Sequence, residues 1–323
     1  MSGAEIVVER IVLMTLVLAV GFLLRRRRFL DDVTVERLSR LVVDVVFPAH
    51  ILAELTRSVS RETIAVDGVA MGFGVAVVAL ALIVGVVLRR WCYRARGGAT
   101  FAFLVGTPNW IFLPLLIAEG LFGHTGVRVV LMMNAGALMV LWTFGVGVLC
   151  RDDGASRERV KWWLSPGLLA TAVGLAIALV SADANGSGGG SSTGVLWEAL
   201  SLLGSCTVPL ALLVTGAQLG GLANRALRPT RPIGLVCLGR LIVAPLVAVA
   251  VLESLQHVAG PIDPTVSAVA VLVATMPVAL SASLFTQRFD GDLELAAASV
   301  FWSTMGSLAT VPCFAYAGFF SGV

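Results

Sequence analysis

Apolar stretches of about 20 residues recur along the chain, and short runs that hold most of the charged residues separate them. A helix of that length crosses the hydrocarbon core of a bilayer, which is about 30 Å thick. Windows of about 19 residues place ten such stretches near 6–24, 38–56, 66–88, 99–119, 127–149, 164–181, 194–217, 233–254, 265–286 and 294–319. The pattern predicts an all-α membrane protein with ten transmembrane helices.

The composition agrees with burial in lipid. Hydrophobic residues make up 58% and charged residues 13% of the 323 residues, whereas soluble domains carry about 25% charged residues. The expected surroundings are therefore a lipid bilayer. The net charge of +3 is explained by basic loops that set the topology, and we expect no nucleic-acid partner.

The sequence lacks the patterns of metal and nucleotide-driven chemistry. The five cysteines form no CxxC pair, and no histidine neighbours them at ligand spacing. No HExxH or phosphate-cradling GxxxxGK[ST] segment occurs. We therefore expect a protein that is not an enzyme and that has neither a cofactor nor a metal site.

Basic residues concentrate in alternate loops and predict the orientation. The four basic loops are the one that begins with Arg25–Arg28 and those at 89–96, 151–161 and 224–231. The loops between them carry few basic residues. By the positive-inside rule the basic loops face the cytoplasm, so both termini lie outside. The Gly/Ser-rich piece 186–194 is then a flexible external loop. Charges in EIVVER precede the first apolar stretch, which we expect to be a retained span and not a signal peptide.

Paired prolines indicate an internal repeat. Pro48 and Pro209 lie in the second and seventh stretches and are 161 residues apart, while Pro108 and Pro277 lie in the fourth and ninth and are 169 apart. Because each half has five spans, the second half starts on the opposite side of the membrane and forms an inverted repeat. The predicted units are a first repeat at 1–150, a cytoplasmic linker at 151–163 and a second repeat at 164–323.

The broken fourth and ninth helices indicate a substrate site. A helix break at membrane depth is tolerated where the freed backbone faces protein or a water-filled cavity. Many proline kinks serve packing alone, but the pairing of Pro108 with Pro277 favours a site. Half-helix N-termini there suit an anionic group, which an asparagine amide can orient without adding a fixed charge. The polar candidates at the two breaks are Thr107, Asn109, Thr275, Ser281 and Ser283.

Three ionisable residues within the apolar stretches have two interpretations each. Asp44 either lines a cavity or pairs with an arginine at the cytoplasmic rim. His50 either packs through a hydrogen bond, the favoured interpretation, or carries a proton. Arg240 either attracts an anion or, as we expect, extends to the membrane interface.

Several segments resemble the auxin efflux carrier family in its bacterial form. They are LVGTPNWIFLPLLIAEGLFG and NAGA in the first half, and VPLALLVTGAQLGGL, GRLIVAPLVAVAVL and MPVALSASLFTQRFDGDLELAAASVFWSTMGSLATVP in the second. They occur in the family's order and cover essentially the whole chain. Pro108, Asn109 and Pro114 match the family's fourth span, Asn134 its NxGA segment and Pro277 its ninth-span break. Pro108 departs from the small residue that bacterial members commonly have there and is similar to the plant PIN-type carriers.

The resemblance implies a fold and a function. The fold is a 5+5 inverted repeat in which spans 4 and 9 cross at their prolines beside the substrate, as in the related bile acid:sodium symporters. Spans 1, 2, 6 and 7 form a scaffold, which often forms a homodimer, and the other six move as an elevator-type transport unit. The protein is then a secondary transporter for small organic anions in the bacterial inner membrane.

The sequence leaves the coupling ion and the direction of transport open. Sodium-coupled uptake, proton coupling and uniport are all allowed, and the sequence does not separate export from import. A membrane receptor or sensor is a different class, but it needs a soluble output domain that the sequence does not show. A passive channel fits poorly, because crossed breaks build a closed site and no ring of like residues suggests a pore.

Overall fold

A computed structural model describes residues 3–58, 64–93, 97–150, 166–185, 194–221, 228–289 and 291–318. Within these ranges the protein is helical, and it has one isolated antiparallel bridge but no strand. The helices are α1 (Gly3–Arg26), α2 (Asp32–Leu41), α3 (Phe47–Ser58), α4 (Ile64–Cys92), α5 (Gly98–Gly106), α6 (Phe112–Val140), α7 (Val146–Leu149), α8 (Pro166–Asn185), α9 (Val195–Ser205), α10 (Thr207–Gly221), α11 (Arg231–Leu238), α12 (Ala244–Ala259), α13 (Pro264–Thr275), α14 (Ser281–Arg288) and α15 (Leu293–Tyr316).

Three π-helical turns connect pairs of these helices. Val42–Val46 joins α2 to α3, Leu141–Gly145 joins α6 to α7, and Gly239–Val243 joins α11 to α12. A π turn inserts a residue into the helical ladder and is frequent at functional sites. Each pair therefore continues as one long helix with a local bulge.

Four helical stretches of the described residues are long and apolar enough to cross a membrane. They are Val66–Cys92, Leu113–Leu149, Val195–Gly221 and Arg231–Val258. Large apolar side chains also lie exposed on the outer helices, among them Leu16, Val180 and Leu202, which suits contact with lipid. The protein is thus a multi-pass helical membrane protein, while the count of ten spans stays a prediction.

The connection expected near 119–127, between the fourth and fifth spans, contains a break in α6. At Gly123 the backbone leaves the helical conformation, with a φ of 59° and a ψ of −148°, and divides α6 into two limbs. A positive φ is accessible to glycine without the steric penalty of a side chain. Arg128 lies in the second limb of α6, and its Nε is 3.1 Å from Oδ1 of Asp67 on α4.

The helices form two groups by their contacts. In the first group α1 packs on α10, and α3 packs on α8 and α9; α2 contacts α10. In the second group α4 packs on α5 and α6, α13 packs on α6, α4 and α12, and α15 packs on α11 and α14. The groups meet where α1 contacts α6 and α15, where α10 contacts α14 and α15, and where α8 contacts α6.

Glycines let helices of one group approach each other at backbone distance. A Cβ atom on Gly74 of α4 would overlap the carbonyl oxygen of Met133, and one on Gly136 of α6 would overlap that of Met71. Small residues at such contacts are typical of membrane helices, which associate through close packing and not through the hydrophobic effect. The α4–α6 contact therefore depends on the missing side chains.

We expect Gly74→Ala to lower the stability of the protein by about 1–3 kcal/mol, because the new methyl group forces α4 and α6 apart. Gly72→Ala is the matched control, since a Cβ at Gly72 on the same helix meets nothing within 4 Å. Thermal unfolding of the purified variants in detergent measures both effects. Equal unfolding temperatures for the two variants would contradict the proposed close approach.

Candidate functional site

Two helices of the second group are interrupted by extended backbone. The helix α5 ends at Gly106 and α6 begins at Phe112, while α13 ends at Thr275 and α14 begins at Ser281. Each gap contains one of the paired prolines, Pro108 or Pro277, which cannot donate a backbone hydrogen bond. The backbone groups freed by these gaps need other partners, because hydrocarbon offers none.

The two gaps provide some of each other's backbone hydrogen-bond partners. Pro108 and Val278 form an antiparallel bridge. The backbone N–H of Asn109 donates to the carbonyl oxygen of Pro277 at 2.7 Å, and that of Ala279 donates to Thr107 at 2.9 Å. The segments 107–109 and 277–279 therefore cross and pair, and we call this arrangement the crossing.

A serine from α15 supports the crossing. The Oγ of Ser303 accepts a hydrogen bond from the backbone N–H of Val278 at 3.1 Å and donates to the carbonyl oxygen of Val300 at 3.2 Å. Its side chain is fully buried. Ser303 thus supplies the partner that Val278 would have had in a continuous helix.

Arg240 forms hydrogen bonds at the ends of both α5 and α13. It lies in the π turn Gly239–Val243 and is fully buried, with an exposed fraction of 0%. Its Nη1 donates to the carbonyl oxygen of Val105 at 3.0 Å and its Nε to that of Met276 at 3.2 Å, while Nη2 donates to that of Ala274. The expectation that Arg240 extends to the membrane interface is wrong, because its guanidinium turns inward to these carbonyls.

An apolar cavity of about 30 Å³ lies beside the crossing. Both helix groups contribute to its wall, which is formed by Val42, Val43, Phe47, Trp110, Ile111, Leu138, Leu141, Trp142, Pro166, Gly167, Ala211, Thr215, Leu280, Ser281 and Phe285. Ligand pockets usually measure about 300–1,000 Å³. A small organic molecule therefore fits only if the two groups move apart.

Two buried polar atoms near this region have no hydrogen-bond partner among the described residues. They are Nε1 of Trp142, whose ring lines the cavity and packs edge-on against Phe285, and Oδ1 of Asn134 in α6. A buried donor or acceptor without a partner destabilises a protein unless water or a ligand satisfies it. Trp142 is thus a candidate donor to a ligand, and nothing in its local sequence distinguishes it from a packing residue.

Two wider polar pockets open at the boundary between the helix groups. One, of about 380 Å³, is lined by Glu36, Ser39, Arg40, Val43, Asp44, Phe285 and Gln287. The other, of about 510 Å³, is lined by Glu54, Arg57, Leu115, Glu119, His124, Thr125, Val127 and Arg128. The first pocket is lined by residues 36–44, near the start of the second predicted span, and the second is lined by Glu54 and Arg57 in the last turns of α3. The two pockets therefore open at opposite ends of that span.

A polar contact links the groups beside the first pocket. The hydroxyl of Ser283 on α14 donates to Oε1 of Gln218 on α10 at 2.7 Å, and Nε2 of Gln218 lies 3.4 Å from Oε1 of Gln287. Gln218 therefore reaches the boundary between the groups through hydrogen bonds to α14.

The residues predicted from sequence lie in five places. Thr107, Pro108, Asn109 and Pro277 meet at the crossing, and Ser281 begins α14 in the wall of the apolar cavity. Asn134 is buried within α6. Asp44 lines the first polar pocket. His50 of α3 lies against Gly204 of α9, and its Nε2 has no partner among the described residues.

The class of the protein follows from these observations. A multi-pass helical protein in which two broken helices meet inside the fold has the architecture of a membrane transporter. The sequence matches the Membrane transport protein family over residues 6–315, and the chain belongs to that family, the auxin efflux carrier family that its motifs resemble. It is also 25% identical to an uncharacterized transporter of Methanothermobacter thermautotrophicus, over 97% of each chain.

We expect Ser303→Ala to lower the free energy of unfolding by about 1–3 kcal/mol, because it leaves the buried N–H of Val278 without a partner. Ser254→Ala is the control, since Ser254 is exposed on α12 and bonds only within its own helix, to Ala250; an effect within about 0.5 kcal/mol is expected there. Thermal unfolding of both variants decides the question. A Ser303→Ala protein as stable as the control would show that the crossing does not need this bond.

Proposed function

We propose that the protein is a secondary transporter for small organic anions and that its substrate binds at the crossing. The observation that carries the proposal is the pairing of segments 107–109 and 277–279, which brings two helix ends and two helix starts together inside the fold. Transporters of several folds bind substrates between broken helices of this kind. Membership of a transport family supports the same function.

The chemistry of the surroundings favours an anion with an apolar body. The helices α6 and α14 start next to the crossing, and a helix N-terminus presents free N–H groups and a partial positive charge. Arg240 adds a full positive charge close by. The cavity wall is apolar and aromatic apart from Thr215, Ser281 and the indole groups of Trp110 and Trp142. A carboxylate on a hydrocarbon or aromatic skeleton matches both features.

The individual site residues take proposed roles on this basis. Asn109 and Ser281 orient the anionic group at the crossing, and Asn134 contributes from α6. Asp44 lies on the route through the first polar pocket. His50 is the weaker candidate, since it lies against Gly204 within the first helix group and is not among the residues that line the apolar cavity.

We further propose that the second helix group moves against the first in an elevator-like manner. The apolar cavity and both polar pockets lie between the groups, so relative movement would open one pocket toward the cavity and close the other. The two pockets at opposite ends of the second span are then the two access routes. The small present volume of the cavity supports a step in which the groups separate to admit substrate.

Contacts between corresponding residues support an inverted repeat. Thr207 donates a hydrogen bond to the carbonyl oxygen of Val46 at 3.2 Å across 161 residues, the spacing of Pro48 and Pro209. Two corresponding residues can touch each other only near the axis that relates the two halves. The proposed repeats are 1–150 and 164–323, joined by the linker 151–163, which lies outside the described residues.

Removal of the Asn109 side chain tests the site. We expect Asn109→Ala to reduce uptake of a carboxylate substrate into proteoliposomes by about 10-fold or more, because a hydrogen bond to a charged group contributes about 1.5–3 kcal/mol. Ser254→Ala, which removes an exposed polar group on α12, should transport normally. The unfolding temperature of Asn109→Ala shows whether the variant is folded. Undiminished uptake by a folded variant would remove Asn109 from the site.

The proposed orientation is tested by cysteine labelling in a background without the five native cysteines. Ser187→Cys lies in the Gly/Ser-rich piece and Ser156→Cys in the basic linker, both outside the described residues. We expect a membrane-impermeant maleimide to label Ser187→Cys in intact cells and Ser156→Cys only after permeabilisation. The opposite labelling pattern would reverse the orientation.

A further inference from the structure

The carbonyl groups at the crossing need a positive partner. The last carbonyl groups of a helix have no intrahelical donor and carry the negative end of the helix dipole. Two such ends, those of α5 and α13, lie together at the crossing. In transporters built from discontinuous helices, a coupling sodium ion often binds to half-helix C-termini and unwound carbonyl groups.

The guanidinium of Arg240 forms hydrogen bonds to these carbonyl groups. It donates to Val105, the penultimate residue of α5, and to Ala274, the penultimate residue of α13. These two residues are 169 apart, the same spacing as Pro108 and Pro277, so the guanidinium bonds the corresponding carbonyl of each repeat. A third bond goes to Met276 in the unwound segment. The planar guanidinium has several donors in a fixed geometry, which allows one side chain to hold three acceptors.

The charges around Arg240 favour a single cation. The guanidinium is fully buried, and no carboxylate of the described ranges forms an ion pair with it. The two helix C-termini and three carbonyl oxygens therefore provide the compensation that a buried charge requires. A sodium ion at the same carbonyls would meet a fixed positive charge at short range in a medium of low dielectric constant. The described residues also contain no cluster of carboxylates, histidines and cysteines that would offset a second cation.

We infer that Arg240 is a permanent cation of the crossing, which takes the place that a coupling sodium ion has in other discontinuous-helix transporters. The inference rests on the proposed function, because it concerns the same crossing. Arg240 is a positioning residue: it holds the ends of α5 and α13 in register and does not contact the cavity. The carrier then works without an alkali cation bound at the crossing.

The wild-type protein gives the first test. Thermal unfolding of the purified full chain is measured in sodium, potassium and choline chloride at one ionic strength, with no substrate present. We expect the same unfolding temperature in all three salts, and the same carboxylate uptake in proteoliposomes when choline replaces sodium. A rise in unfolding temperature or in uptake that is specific to sodium would overturn the inference.

Replacement of the side chain gives the second test. We expect Arg240→Met to unfold at a lower temperature than the wild type, and low concentrations of guanidinium chloride to raise that temperature by filling the vacated position. The same salt should lower the unfolding temperature of the wild type, and urea should lower that of both proteins. Arg231→Met is the matched control, because Arg231 is exposed at the start of α11 and should show neither the loss nor the rescue.

Arg240→Lys covers the case in which Arg240→Met does not fold. Lysine keeps the charge but has a single ammonium group in place of the planar fork, so we expect an unfolding temperature below that of the wild type, with guanidinium giving no rescue. A methionine variant as stable as the wild type, or one that sodium and guanidinium stabilise equally, would contradict the assignment. These unfolding measurements need no substrate, so they remain decisive even if Asn109→Ala were to transport normally.

Discussion

The need to satisfy backbone polar groups inside a membrane protein governs the centre of this structure. Breaks at Pro108 and Pro277 free N–H and carbonyl groups in the buried interior, where neither water nor lipid can bond them. Three kinds of partner form hydrogen bonds to these groups: the facing break, the hydroxyl of Ser303 and the guanidinium of Arg240. None of the three satisfies all of these groups, because the paired segments make two hydrogen bonds to each other and do not bond the carbonyl groups of Val105 and Ala274 at the ends of α5 and α13. The crossing is therefore stable only when α5, α13, α15 and the α11–α12 pair are assembled together.

This dependence explains why the helices divide as they do. Every partner of the crossing named above comes from the second group, so the crossing forms one unit with that group. The first group touches it through the apolar wall of the cavity and through the Gln218–Ser283 hydrogen bond. An interface of apolar side chains with few polar links can slide with little loss of hydrogen bonding. The hydrogen bonds of the described residues thus hold the crossing together more firmly than they link the two groups.

The sequence predicted some of this arrangement and missed other parts for physical reasons. The prolines and Asn109 can be recognised from the local sequence as marking a break in an apolar stretch, because a missing N–H or a buried amide leaves polar groups that need hydrogen-bond partners wherever they lie. Arg240 is different: the same residue near a basic loop suits either the interface or the interior, and only the tertiary position of α5 and α13 decides. The break at Gly123 lies within the connection that the sequence places near 119–127. Four helical stretches of the described ranges are long and apolar enough to cross a membrane, and breaks divide the fourth and the ninth of the ten predicted stretches.

Two of the three π turns line the cavity, and the third lies at the crossing. Val42–Val46 and Leu141–Gly145 place Val42, Val43, Leu141 and Trp142 in the cavity wall, and Gly239–Val243 carries Arg240. An inserted residue shifts the side chains of a helix out of their usual register, so a residue that would face lipid or a neighbouring helix can turn toward the centre. The cost is a weakened helical ladder at those turns. The protein bears that cost at two turns that line the cavity and at one that brings Arg240 to the carbonyl groups of the crossing, so the side chains at the centre of the fold depend on the irregular register of these helices.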